Sequence, residues 1–256
     1  MSKPGFIKAA LLLLVVLCGI SGAIAHSRRS SLAAPVASPT DFAGVVIMSG
    51  FRPLAADLLW MRAEDLACER RYYELISLYN LITTLDPHFE GAWVYNASNL
   101  ASRIAPLEDT PQKRWRWIRE GLLYAMRGME KNPRSDTIAF SIAFILYHEV
   151  PKDDYYIKQT LHDPVINPDR LSVIELSRRW AERGYETKPH TIYIDWVLEF
   201  IYRQYGNRAK TRSEKLAYLY KRLEIWRYVR ENKPYAEKRA AELIKQIHAE
   251  IAALEQ

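Results

Sequence analysis

From Phe42 onward, apolar residues recur at the intervals of three and four that mark one face of an α-helix. In YYELISLYNLITTL, Tyr72, Leu75, Ile76, Tyr79, Ile82 and Leu85 form a single apolar stripe. Beyond Pro87 a second stripe begins with Ala92, Trp93, Asn96, Ala97 and Leu100. Pro87, Pro133, Pro189 and Pro234 each precede a new apolar run. Two helices joined by a short proline-containing turn make a helical hairpin, so the pattern predicts hairpins in series. Thr40 or Asp41 is placed to cap the first helix, and Thr211 with Glu214 predicts a capping box for a later one. Pro234 opens a last helix that sets Tyr235, Leu243, Ile247 and Ile251 on one face and charges on the other.

The N-terminal pattern is different. Seventeen apolar or small uncharged residues run from Ala9 to Ala25 behind Lys3 and Lys8. Counted from Phe6, about 20 residues at about 1.5 Å each reach the thickness of a bilayer core. We read residues 1–26 as a transmembrane anchor in preference to a cleaved signal peptide, although Ala23-Ile24-Ala25 has the form of a cleavage site. With Lys3 and Lys8 on the cytoplasmic side, the rest of the chain is expected on the outer, periplasmic side of the cytoplasmic membrane. Residues 27–40 (SRRSSLAAPVASPT) lack helical periodicity and read as a linker.

Composition sharpens the class. Hydrophobic residues are 49% of 256 and only 10 are Gly, which suits packed helices with a real core. Cys18 and Cys68 are not expected to form a bridge, and the six His show no metal-ligand spacing, so no cofactor is expected.

Leu59, Ala63 and Leu66, then Trp93, Ala97 and Leu100, give a large, a small and a large residue at helical spacing. Tyr72, Tyr79 and Asp86-Pro87 complete the first set. Gly121, Ala125 and Gly128, and again Ser177, Ala181 and Gly184, repeat the small-residue spacing. This pattern resembles the tetratricopeptide repeat. The resemblance implies an all-α superhelix of hairpins, here over 41–233, with 234–256 as a capping helix. The prolines stand 46, 56 and 45 residues apart, against about 34 in the family. The excess predicts long inter-helix insertions at 103–112, 150–168 and 204–212.

In such proteins the first helix of each pair lines a concave groove that holds peptides. The resemblance places Trp60 and Glu64 there, with Val94 and Ser98 in the second pair. It adds Phe140, Phe144, Tyr147 and His148 from the third pair, and Tyr193, Trp196, Phe200 and Arg203 from the fourth. Val94 and Ser98 stand where relatives that grip a C-terminal carboxylate carry Lys and Asn, which disfavours that ligand. Arg114-Trp115-Arg116-Trp117 reads as a helix start with a packing role, and Asn96-Ala97-Ser98, a glycosylation match, falls inside a helix.

The formal surplus of +6 lies in residues 201–256, which carry 13 Lys and Arg against 7 Asp and Glu. Basic C-terminal helices could meet anionic lipid or an acidic partner; nucleic acid is not expected for an exported domain. No HExxH, G-x-S-x-G or phosphate loop is present, so an enzyme is not expected. The sequence therefore points to a membrane-anchored scaffold that holds a protein partner in an envelope or secretion assembly. The alternative is a small-molecule binder or enzyme that closes the 150–168 insertion over the aromatic groove.

Overall fold

The computed structural model describes residues 39–255 and, within them, the side chains of Arg52 and of residues 54–255. The described residues form ten α-helices and no strand, as the periodicity predicts. The apolar N-terminal segment and most of the linker lie outside the described residues. Among the described residues no helix is long and apolar enough to cross a membrane. Two compact units divide between Asp86 and Pro87.

Among the described residues the first unit is one hairpin, α1 (Pro39–Cys68) packed on α2 (Tyr72–Leu85). The α1 helix opens at Pro39, so Thr40 and Asp41 lie inside it and do not cap it. Proline needs no amide partner in a first turn, which lets the helix start earlier than the polar pair suggests. Its C-terminus closes in a Schellman turn: Arg71 N–H donates to Leu66 O (3.0 Å) and Arg70 N–H to Ala67 O (3.1 Å). Arg70 takes the left-handed conformation there, at φ 58°. Leu75, Tyr79 and Ile82 of the predicted stripe are buried, with Ala63 and Leu66 of α1.

The second unit stacks three hairpins and a final helix. In the first hairpin, α3 (Glu90–Ser98) continues through a π turn (Asn99–Ile104) and a 3-10 turn (Ala105–Leu107) before α4 (Pro111–Lys131) returns. The second pairs α5 (Asp136–Phe144), extended by a π turn (Ile145–Glu149), with α7 (Val173–Glu186). A short α6 (Asp154–His162) lies between them. The third pairs α8 (Ile192–Arg208) with α9 (Arg212–Asn232), and α10 (Glu237–Glu255) packs on α9. Each first helix also meets its successor, α3 touching α5 and α5 touching α8.

Small residues permit this stacking. A Cβ on Gly128 would stand 2.8 Å from Cγ of Trp93, and one on Gly121 would stand 2.7 Å from the Ala97 carbonyl. Ser177 Oγ donates to the Ala143 carbonyl (2.7 Å), so the second hairpin is joined at its small residue by a hydrogen bond. The turns after Pro87, Pro133 and Pro189 are tied to one another. Ser135 Oγ donates to Glu90 (2.6 Å) and the Thr191 amide donates to Asp136 (2.5 Å), linking the starts of α3, α5 and α8.

Two of the three expected insertions are helix. Only 108–110 and 209–211 interrupt 103–112 and 204–212, and α4 and α9 each run to 21 residues. Pro106 and Gly206 mimic loop signals. Pro106 sits in the first turn of the 3-10 segment, where a missing N–H costs little, and Gly206 lies inside the last turns of α8. The insertion after Val150 is real and folded. Asp163 accepts from the Val165 (3.0 Å) and Ile166 (2.9 Å) amides, and from Arg119 Nε on α4 (2.6 Å). Burial pushes the Asp163 carboxyl up, but the Ile166 amide, the Arg119 guanidinium and the Val165 amide outweigh it and hold it below its usual value.

The predicted capping box at Thr211 and Glu214 is formed. Leu243, Ile247 and Ile251 are buried as expected, but Tyr235 is 76% exposed and Ala236 and Ala240 take the inner positions. The 3-10 turn Pro234–Ala236 explains the slip, because its tighter winding moves Tyr235 off the register of the α-helix that follows.

Candidate functional site

Seven of the twelve groove residues named from the sequence meet at one open cavity of about 400 Å³. Phe140 and Phe144 come from α5, and Tyr147 and His148 from its π turn; Tyr193, Trp196 and Phe200 come from α8. Val197, absent from the sequence reading, completes the lining. Positions 140, 144, 147 and 148 lie on one helical face, as do 193, 196, 197 and 200. The opposite faces are sealed, with Ile142, Leu146, Ile194, Leu198 and Ile201 almost fully buried. Because α5 and α8 are the first helices of successive hairpins, no second helix of a pair lines this side.

The rings pack on one another and still reach solvent. Phe140 lies 5.6 Å from Phe144 and 5.4 Å from Tyr193, and His148 stacks on Phe144 at 4.9 Å with planes 9° apart. The π turn carries His148 and Tyr147 into the wall; it closes with the Val150 amide donating to Ile145 O (3.0 Å), one residue beyond the α-helical partner. Tyr193 is 58% exposed and Phe200 47%. Gln204 Nε2 donates to the Tyr147 hydroxyl at 2.5 Å, which holds that ring in place. Trp196 is half-buried, with its ring edge-on to Trp226 at 4.9 Å. It serves the core and the cavity together. The lining carries no carboxylate, lysine or arginine.

The other five residues lie elsewhere, Val94 and Ser98 among them on α3. Trp60 and Glu64 belong to the first unit, where the Trp60 indole N–H donates to Glu64 (3.0 Å) and its ring meets Tyr79 at 5.8 Å. Arg203 is on α8 but outside the cavity. Its guanidinium donates to the buried Glu199 (2.6 Å) and lies over the outer Phe200 ring at 5.8 Å. A carboxylate sealed in apolar surroundings must be paired, and Arg203 and Arg222 are its partners.

No residue of 150–168 lines the aromatic cavity, so the insertion is not a lid over it. The reason is mechanical: α6 packs on α4 and α7, and the Arg119–Asp163 ion pair fixes the insertion to α4. The insertion instead helps enclose a second cavity of about 250 Å³, with Tyr147 common to both.

A buried ionic cluster escaped the sequence reading. Asp195 accepts from His190 Nε2 at 2.9 Å and pairs with Lys233, and all three side chains are nearly or fully sealed. The His190 ring lies 4.7 Å from both Tyr185 and Tyr228. The available signal was Asp195 and Glu199, one turn apart inside the otherwise apolar run IYIDWVLEFIY. These contacts also revise the basic C-terminus. Arg203, Arg222 and Lys233 neutralise carboxylates that lie before residue 201, so part of the local surplus is internal. Exposed cations remain on α9 and α10, among them Arg227, Arg230, Lys238 and Lys245.

Trp115 is buried at the start of α4, and Trp117 Nε1–H donates to Glu108 (2.7 Å), which agrees with a packing role for that aromatic and basic run. Asn96 is fully buried, out of reach of glycosylation, and Cys68 is a free exposed thiol. Among the described residues no group of three His, Cys, Asp or Glu could hold a metal ion. No protein-family model, curated protein or solved structure matches the chain.

Proposed function

We propose that the chain is a tetratricopeptide-like scaffold, anchored in a membrane by its N-terminal apolar segment, that holds a protein partner in the aromatic groove between α5 and α8. One observation carries the reading. The groove positions expected from the repeat resemblance in 136–208 converge, apart from Arg203, on a single open cavity. Exposed, preorganised aromatic rings are what protein anchors use, since they bury a large area at small conformational cost. The absence of lining charge supports recognition of an apolar or aromatic segment of the partner. Order in the hairpins and the close contacts at Gly121, Gly128 and Ser177 support the repeat architecture. The Lys3 and Lys8 asymmetry supports a periplasmic location, with the exposed cations of α9 and α10 available to acidic lipid or protein.

The test is photo-crosslinking from position 193 or 200 in cells, followed by mass spectrometry. A stoichiometric protein captured at those positions, and not from position 95 on α3, is the expected result. Equal capture from all three positions, or from none, removes the groove as the binding face.

A further inference from the structure

The smaller cavity, of about 250 Å³, lies where the π turn of α5, the insertion, the start of α7 and the end of α8 meet. Its wall is aliphatic, from Leu146, Val150, Ile157, Val173 and Ile174. Its charged groups are of one sign. Lys152 and Arg208 line it and both are exposed. Among the described residues neither has a carboxylate within ion-pair distance. The amino end of the 14-residue α7 opens on the same space through Ser172 and Val173, adding the positive end of a helix dipole. An aliphatic chamber rimmed by two unpaired cations complements a molecule with a hydrocarbon body and one anionic head.

We propose that this cavity binds a medium-chain fatty acid, its alkyl chain among the aliphatic side chains and its carboxylate between Lys152 and Arg208. The size selects the class. A chamber below the roughly 300–1,000 Å³ of sites for drug-sized ligands takes one short chain, not the two of a membrane phospholipid. A neutral hydrocarbon leaves both cations unused. The proposal goes beyond the partner groove and stands apart from it, since the two cavities share only Tyr147.

The experiment is equilibrium dialysis of labelled hexanoate, octanoate and methyl octanoate against the full chain in nanodiscs, with empty nanodiscs as the blank. Octanoate is expected to bind saturably at one site, about fourfold more tightly per added methylene than hexanoate, from the burial of each CH₂. Methyl octanoate on the wild type, and octanoate on the Lys152→Ala/Arg208→Ala variant, are expected to bind at least tenfold more weakly. Both cations are exposed, so the variant keeps the wild-type melting point. Ile157→Trp, at a position 40% exposed, fills the chamber and abolishes binding. The proposal is overturned by octanoate uptake equal to the blank, by methyl octanoate matching octanoate, or by undiminished binding to the double cation variant. Loss of binding in Phe200→Ala with binding kept in Ile157→Trp assigns the ligand to the aromatic cavity and overturns it too.

Discussion

Glu175 shows how single side chains lock the second unit. Arg178 bridges Glu175 and Glu182, and Tyr205 donates to Glu175 (2.6 Å) while Tyr202 donates to Glu182 (2.6 Å), so α7 is fastened along α8. The Arg178 guanidinium, aided by the Tyr205 hydroxyl and opposed by burial, holds the Glu175 carboxyl at about 2. A carboxylate with a depressed folded-state pKa contributes stability that is whole above its ordinary range and disappears as pH falls toward about 2. The melting temperature is therefore expected to drop steeply between about pH 4.5 and pH 2, and Glu175→Gln is expected to melt lower at pH 7 with a shallower acid slope. Melting curves of the two proteins across pH 2–7 check this; identical acid slopes contradict it. Trp196 belongs to two environments at once. A sequence argument sets core against groove, yet Trp196 packs on Trp226 with one part of its ring and lines the cavity with another. Truncating it weakens both, so Tyr193 and Phe200 are the cleaner probes.

Between helices, the packing depends on where a methyl group can and cannot be added. Gly128→Ala drives a Cβ to 2.8 Å from the rigid Trp93 ring, and overpacking of this kind costs about 1–3 kcal/mol, more than the roughly 1 kcal/mol of helix propensity gained. Gly206→Ala meets nothing nearer than 3.6 Å and is expected to hold or raise stability. Opposite signs in chemical denaturation of the two variants support the close approach of α3 and α4; a stabilising Gly128→Ala contradicts it. Gly121 and Gly128 were legible in the sequence because small residues at helical spacing have one common cause, close helix approach. The helix boundaries at 103–112 and 204–212 were not. Pro106 and Gly206 carry the local signature of a turn, while tertiary packing and a π turn carry the chain on in helical form. Tyr235 was misplaced for a related reason, since one 3-10 turn breaks the periodicity on which its assignment rested. The ionic cluster at Asp195 was hidden because its partners, His190 and Lys233, come from turns whose proximity only the tertiary fold creates.

For the molecule as a whole, the stack of hairpins leaves one face of α5 and α8 rich in rings and free of charge, while their other faces fill the core. Residues 140–148 and 193–200 were named for this face through the resemblance to the tetratricopeptide repeat, in which the first helix of each pair lines the groove. On the proposed function this face binds a partner and does not merely fill space. The most direct measurement is affinity for the captured partner beside thermal melting, for the full chain and for Tyr193→Ala/Phe200→Ala. Both residues are about half exposed, so the account predicts binding at least about 30-fold weaker, as for loss of a hot spot of about 2 kcal/mol, with a melting point near that of the wild type. Unchanged affinity, or a melting point that collapses together with binding, contradicts it.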